Sequence, residues 1–93
     1  MRRELLRLAS FTRAAKRLAK KQPGFAALLQ GTLEELSADA FQASLKTHKL
    51  KGSLAGSYAC STGYDLRIIF RLVEQEGAEV ILLQSIGTHD EVY

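Results

Sequence analysis

The sequence predicts an α+β domain in which a two-helix hairpin packs on one face of a small antiparallel sheet. Apolar residues recur at helical spacing between residues 11 and 19 and between residues 25 and 36, whereas residues 66–72 alternate apolar and polar. The order of elements is a possible first strand, two helices and three strands. Strands joined by short turns pair antiparallel with their neighbours, so we expect the helices to cover one side of the sheet.

Length and composition limit the architecture to one domain. The chain has 93 residues, of which 46% are hydrophobic and 25% are charged. This composition is ordinary for a globular protein, and the length suits a single domain over residues 1–93. A separate substrate domain does not fit, so we expect any active site to be an open surface or groove.

The helices are predicted from apolar periodicity and from the residues at their ends. The first is expected over residues 11–21, with Ser10 at the N-cap and residues 2–9 open to strand or helix. The second is expected to include Pro23 in its first turn and to end near residue 37. The short link between them predicts an antiparallel pair.

The strands follow a basic loop over residues 46–52, which Gly52 and Gly56 keep from becoming a helix. We expect strands over residues 57–62, 65–73 and 79–86, and the last, apolar on both faces, should lie inside the sheet. In the middle strand Leu66, Ile68, Phe70 and Leu72 share one face. The other face then carries Asp65, Arg67 and Arg71.

Positive charge is concentrated in two zones of a chain whose net charge is only +3. Residues 1–30 hold eight Lys and Arg against one acid, and residues 46–71 hold five against Asp65. Such zones indicate a polyanion partner, and Lys46, Lys49, Lys51 and Arg71 are candidate phosphate contacts. The alternative for the first zone is a solvated helix face.

Cysteine, histidine and hydropathy patterns exclude several classes of site. The single Cys60 permits no internal disulfide, and no Cys/His set has zinc spacing, so we expect no metal and no cofactor. No apolar run reaches the ~20 residues of a membrane span, and the first residues lack the apolar region of a signal peptide. We therefore expect a cytoplasmic protein with no membrane association.

Three motifs resemble the RelE toxin superfamily and, within it, the YafQ-like branch. They are H-K-L-K-G at residues 48–52, G-Y-D-L-R-I-I-F at 63–70 and I-G-T-H-D-E-V-Y at 86–93. The resemblance implies a β-α-α-β-β-β fold and the toxin of a type II toxin–antitoxin system. It also implies an endoribonuclease that cleaves mRNA in the ribosomal A site, with a cognate antitoxin as partner of an otherwise monomeric toxin.

The same resemblance implies catalytic roles for His48, Asp65, Arg67, His89 and Tyr93. A branch-typical histidine four positions before the acid is replaced by Ser61. Metal-free cleavage by 2′-hydroxyl attack needs a base, an acid and cations, and histidine serves as either at neutral pH. We assign His89 as the acid and His48, oriented by Asp65, as the base, although geometry could reverse the roles. The alternative is a degenerate module that only binds an antitoxin or the ribosome.

Overall fold

The fold is described from a computed structural model for residues 2–93. The predicted fold class is confirmed: three helices accompany a five-stranded sheet. In chain order the elements are β1 Leu5–Arg7, α1 Ala9–Lys21, α2 Phe25–Ala38, β2 His48–Lys49, β3 Tyr58–Thr62, β4 Leu66–Gln75, β5 Ala78–Thr88 and α3 His89–Val92. Two 3₁₀ turns, Ala43–Leu45 and Gly52–Leu54, flank β2.

The sheet has the order β1-β5-β4-β3-β2, and all neighbours are antiparallel except β1 and β5. The expected antiparallel sheet is therefore mixed at one edge, where Leu5 pairs with Ile81 in parallel. Residues 2–9, left open by the sequence, contain the short strand β1. The interior position predicted for β5 is confirmed, because β5 lies between β1 and β4.

The hydrophobic core joins the helices to one face of the sheet. Phe11 and Leu18 of α1 and Leu36 of α2 pack in the same cluster as Ile68 and Phe70 of β4. The alternation predicted for β4 is thus confirmed, since Leu66 also belongs to the cluster and Leu72 packs against it. We call the other side of the sheet the open face; by alternation it carries Ser61, Arg67, Ile69 and Arg71.

Both predicted helix starts are wrong by two residues. Helix α1 begins at Ala9 with Leu8 at the N-cap, and the Ser10 hydroxyl donates instead to the carbonyl of Gln84 at 2.6 Å. Gln84 is the extra residue where the β4–β5 register shifts, so its backbone needs a partner outside the ladder. Helix α2 begins at Phe25, after Gly24 at φ +82°, so Pro23 lies in the preceding turn.

A buried pair of hydroxyls ties α2 to β3. Thr32 Oγ1 lies 2.6 Å from Thr62 Oγ1 and 3.1 Å from the carbonyl of Leu28. The carbonyl can only accept, so Thr32 donates to Leu28 and Thr62 donates to Thr32. Within residues 2–93 no helix is both long and apolar enough to cross a membrane.

The two threonines should respond unequally to substitution. Thr32→Val leaves the buried Thr62 hydroxyl without its acceptor and should lower the free energy of unfolding by about 1–3 kcal/mol. Thr62→Val leaves Thr32 bonded to Leu28 and should cost less than about 1 kcal/mol, and the double variant should be close to Thr62→Val alone. Equilibrium urea unfolding measures all three; equal losses for the single variants would contradict this donor order.

Candidate functional site

Strand β2 places His48 on the open face of the sheet. His48 pairs with Ala59 of β3, which itself pairs with Ile69 on that face. Its ring Nδ1 lies 3.1 Å from the carbonyl of Lys46, so Nδ1 carries the proton and donates to that oxygen. In the neutral ring Nε2 is then unprotonated, and it is available as a base on the solvent side.

Helix α3 brings His89 and Tyr93 to the same place. The Tyr93 hydroxyl oxygen lies 3.5 Å from His48 Nε2, at the outer limit of a hydrogen bond. The rings of His89 and Tyr93 meet edge-to-face with their centroids 4.4 Å apart. Both histidines therefore lie beside Tyr93, although they are 41 positions apart in the chain, from 48 to 89.

Local sequence explains why α3 begins and turns where it does. The Thr88 hydroxyl accepts from the backbone N–H of Glu91 at 3.4 Å, and Glu91 Oε1 accepts from the Thr88 N–H at 2.8 Å. This reciprocal pair is a capping box. Gly87 allows close packing, because a Cβ there would lie 3.0 Å from Glu91 Oε1 and 3.3 Å from Val92 Cγ1. Glu91 Oε2 also lies 3.9 Å from Arg17 Nη2 of α1.

These elements enclose an open groove of about 400 Å³ between β2 and α3. His48, Lys51, His89 and Tyr93 line it, with Leu50 and Leu54 as its apolar part. Four residues predicted for catalysis or RNA contact thus meet at one surface. The groove is open to solvent, as the length of the chain predicted.

Arg67 lies on the open face near this groove. It pairs with Ser61 on one side and Gly87 on the other, and its Nη1 donates to the carbonyl of Leu66 at 2.9 Å. Burial raises the pKa of Tyr93 above its ordinary value, while the positive charge of Arg67 opposes that rise. The Tyr93 hydroxyl is therefore protonated at neutral pH and can donate a hydrogen bond.

Three other predicted residues lie apart from the groove. Asp65 is exposed in the turn before β4, and within residues 2–93 it forms no ion pair, so Lys46 is the residue that orients His48. Lys49 follows His48 in β2 and pairs with Tyr58, whose ring stacks on the core residue Phe70, so Lys49 projects away from the open face. Lys46 lines a separate cleft.

Arg71 supports the loop beside the groove. Its Nε lies 3.5 Å from the carbonyl of Gly56. Gly56 has φ +92°, and a Cβ at this position would lie 2.6 Å from Arg71 Nη2. Arg71 therefore packs against the end of the loop that carries Lys51, while remaining exposed for a phosphate contact.

The supporting residues Gly87, Thr88 and Glu91 were missed by the sequence reasoning. The spacing of Thr88 and Glu91 is that of a capping box, so this signal was present in the sequence. Cys60 is buried and belongs to the core, and burial raises the pKa of its thiol to about 12. Residues 2–93 contain no group of three or more His, Cys, Asp or Glu placed to hold a metal ion.

Lowering the pH should weaken the cap at the start of α3. The hydrogen bond from the Thr88 backbone N–H holds the pKa of Glu91 below its ordinary value of 4.5. A depressed folded-state pKa contributes stability above the unfolded-state pKa, and that contribution is lost as the pH falls through the folded-state value. The Thr88 amide signal in an NMR titration should therefore move below about pH 4.5.

The matched control is Glu91→Gln, which keeps an oxygen acceptor but does not titrate. In that variant the Thr88 amide should show no comparable acid transition. A wild-type Thr88 signal that stays constant from about pH 6 to about pH 3 would contradict the role given to Glu91.

Solved structures of bacterial toxins share this fold. YafQ from E. coli strain BL21(DE3) matches with a TM-score of 0.77 over 98% of both chains at 19% identity. The YoeB/ParE toxin from Agrobacterium tumefaciens matches with a TM-score of 0.77 at 14% identity, covering 92% of this chain and 98% of that one. The E. coli DinJ-YafQ toxin-antitoxin complex contains a chain with a TM-score of 0.75 at 20% identity, covering 100% and 99%. At these identities the likeness shows the fold alone.

Sequence comparison with whole families identifies the chain more closely. No curated protein matches the sequence. The family described as "Bacterial toxin of type II toxin-antitoxin system, YafQ" matches residues 3–93. This match confirms the resemblance to the YafQ branch, and the chain therefore belongs to the YafQ family of bacterial type II toxins.

Proposed function

We propose that this toxin, as one domain over residues 1–93, is an endoribonuclease that cleaves mRNA in the ribosomal A site. The observation that carries the proposal is the groove that brings His48 and His89 together beside Tyr93, with Lys51 also in its lining. Cleavage by a 2′-hydroxyl requires a base, an acid and a cation, and the two imidazoles and Lys51 can supply them. The reaction needs no metal, because the histidines supply both proton transfers.

The geometry favours His48 as the general base. Its Nδ1 donates to the carbonyl of Lys46, so Nε2 holds the lone pair that takes the proton of the 2′-hydroxyl. The oxygen then attacks the adjacent phosphorus, the bond to the 5′-oxygen breaks, and a 2′,3′-cyclic phosphate forms.

His89 suits the general acid that protonates the leaving 5′-oxygen. Its ring is exposed at the groove, with Nδ1 3.6 Å from Asp90 Oδ1, so a ring nitrogen can deliver a proton to bound RNA. Arg67 and Lys51 stabilise the extra negative charge that builds on the phosphorus centre. Tyr93, which is 42% exposed, offers its ring to a base and its hydroxyl to a phosphate oxygen.

The expected partners are inferred from the basic face of α1 and from the complexes that related toxins form. Helix α1 presents an exposed basic face formed by Arg13, Lys16, Arg17, Lys20 and Lys21, which suits ribosomal RNA. The E. coli relative occurs in a DinJ-YafQ toxin-antitoxin complex. We infer that a cognate antitoxin binds this chain, which is otherwise a monomer, and that it acts in the cytoplasm, where ribosomes are.

A non-catalytic toxin that only binds an antitoxin or the ribosome is the second candidate. Two observations favour it: Ser61 replaces a histidine typical of the branch, and Asp65 has no contact with His48. Both candidates can bind an antitoxin or the ribosome, so cleavage of mRNA is the property that separates them.

Primer extension on a translated mRNA tests the cleavage. His89→Ala should reduce cleavage about 10²–10⁴-fold, because a general acid or base contributes about that much, and His48→Ala should do the same. Gln75→Ala, at the exposed end of β4, is the control and should cleave like the wild type. Thermal unfolding confirms that each variant is folded.

Absence of new 5′ ends with the wild type would favour the binding-only candidate. Equal cleavage of the same mRNA without ribosomes would overturn the ribosome dependence while leaving the nuclease in place.

The two neighbouring lysines provide a matched pair for RNA contact. Lys51 lines the groove, whereas Lys49 projects from the other side of β2. Lys51→Ala should weaken RNA binding and reduce the slope of log K against log salt by about 1, and Lys49→Ala should change it less. Salt titrations of binding measure both slopes; a larger effect of Lys49→Ala would place the RNA on the other face.

A further inference from the structure

A second cleft opens at the end of β3 and β4, beside α2. It has a volume of about 310 Å³, and its mainly polar lining includes Thr32, Glu35, Lys46, Ser61, Tyr64 and Arg67. Sites for small ligands begin at about 300 Å³, so the cleft suits a unit no larger than one nucleotide. The bond between Thr32 and Thr62 is part of the fold, but neither the core nor the groove around His48 accounts for Lys46 and Tyr64 at this cleft.

Two cations in this cleft stand close to the His48–His89 groove. The carbonyl of Lys46 accepts the hydrogen bond from His48 Nδ1, so the backbone of Lys46 is fixed against the groove. The Arg67 guanidinium is held by its bond to the carbonyl of Leu66 at 2.9 Å. The charge of Arg67 also acts on the hydroxyl of Tyr93. One anionic chain could therefore pass from the groove into the cleft.

Tyr64 has no packing role that accounts for its aromatic ring. It is 99% exposed at the tip of the β3–β4 turn. The turn itself is fixed, because Gly63 adopts φ +64° and a Cβ at this position would lie 2.8 Å from Leu28 Cδ2 of α2. The protein thus presents a bare ring from an anchored turn at the margin of a cationic cleft, which is the usual form of a base-stacking platform.

The lining groups contain one carboxylate, that of Glu35. Glu35 Oε2 accepts from the Ser44 hydroxyl at 3.0 Å, which holds the carboxylate in place. This carboxylate repels a phosphate, but the N–H groups of a base edge can bond to it. A phosphate in the cleft would therefore bind to Lys46 and Arg67.

We propose that this cleft binds one nucleotide of single-stranded RNA next to the cleavage groove, with its phosphate on Lys46 and Arg67 and its base stacked on Tyr64. The proposal rests on the proposed function in that the same RNA occupies the groove. It gives Tyr64 a role in substrate binding, outside the reacting atoms.

The absence of tryptophan from the sequence makes a specific optical test possible. Tyr64→Trp introduces one indole at the platform, and Leu8→Trp introduces one at an exposed site by the opposite edge of the sheet. The probe is an oligoadenylate of about eight nucleotides, blocked at every 2′-hydroxyl so that it is not cleaved. Stacking should quench the Tyr64→Trp fluorescence on titration and leave the Leu8→Trp fluorescence unchanged.

Affinities of other Tyr64 variants for the same probe measure how much the ring contributes to binding. Tyr64→Ala should weaken the affinity about tenfold, whereas Tyr64→Phe should stay within about twofold of the wild type. Quenching together with these two affinities supports the subsite. No quenching, or equal affinity for Tyr64→Ala and the wild type, overturns it; a loss of affinity in Lys46→Gln without quenching would mean that the cleft binds charge only.

Cleavage of translated mRNA, measured in parallel, separates the two proposals. If the wild type cleaves while the Tyr64 variants bind and cleave like it, the subsite is overturned and the nuclease stands. If the wild type does not cleave but Tyr64→Trp is quenched and Tyr64→Ala binds weakly, the nuclease is overturned and the RNA subsite stands.

Discussion

The register of β4 between its two neighbours is the constraint on which the rest of the structure depends. Leu66, Ile68 and Phe70 must face the helices to complete the core, and this choice puts Arg67 and Ile69 on the open face. A slip by one residue would bury the Arg67 guanidinium against apolar helices, at a cost of several kcal/mol. The hydrophobic core therefore fixes where the cationic side chains of the site stand, without any direct contact between core and substrate.

The same register determines where α3, which carries His89 and leads to Tyr93, can pack on the sheet. Gly87 pairs with Arg67, so the missing side chain at Gly87 opens space on the open face directly beside the guanidinium. Helix α3 packs into that space, and the capping box of Thr88 and Glu91 sets its direction. A four-residue helix is too short to be stable alone, so its position depends on these contacts with β5. The groove is thus a consequence of one glycine and one cap at the end of the longest strand.

Periodic and local patterns in the sequence predicted most of the fold. They could not predict contacts between residues that are far apart in the chain. The helical spacing around Phe11 and the alternation around Ile68 reflect a core that each element faces on its own, so they could be seen without the structure. The parallel pairing of β1 depends on β5, more than seventy residues later, from 5 to 81. Ser10 has the residue type of an N-cap, but it lies inside α1, which begins at Ala9, and its hydroxyl donates to the carbonyl of the bulge residue Gln84.

For the candidate site, the sequence indicated which residues take part. It did not indicate which face of the sheet each side chain lies on or which group it hydrogen-bonds to. Strand β2 has only two residues, so no periodicity in the sequence indicates that His48 and Lys49 project to opposite faces. The expected partner of His48 was the side chain of Asp65, and the structure provides the carbonyl of Lys46 instead. Backbone carbonyls have no signature in the sequence, so a histidine oriented by one cannot be recognised from residue types.

The groove is open to solvent, and this limits how strongly its side chains can stabilise a transition state. His48 and His89 are both exposed, and the side-chain contacts of their rings are long, 3.5 Å from His48 Nε2 to the Tyr93 hydroxyl and 3.6 Å from His89 Nδ1 to Asp90. Donors in water stabilise a transition state less than donors in a closed, dry site, because the solvent screens their charge. Cleavage by such a nuclease should be faster when a larger surface holds the RNA in a reactive geometry and covers the groove. This need supports the ribosome as the setting of the proposed reaction, since positioning the mRNA would supply what the small domain lacks.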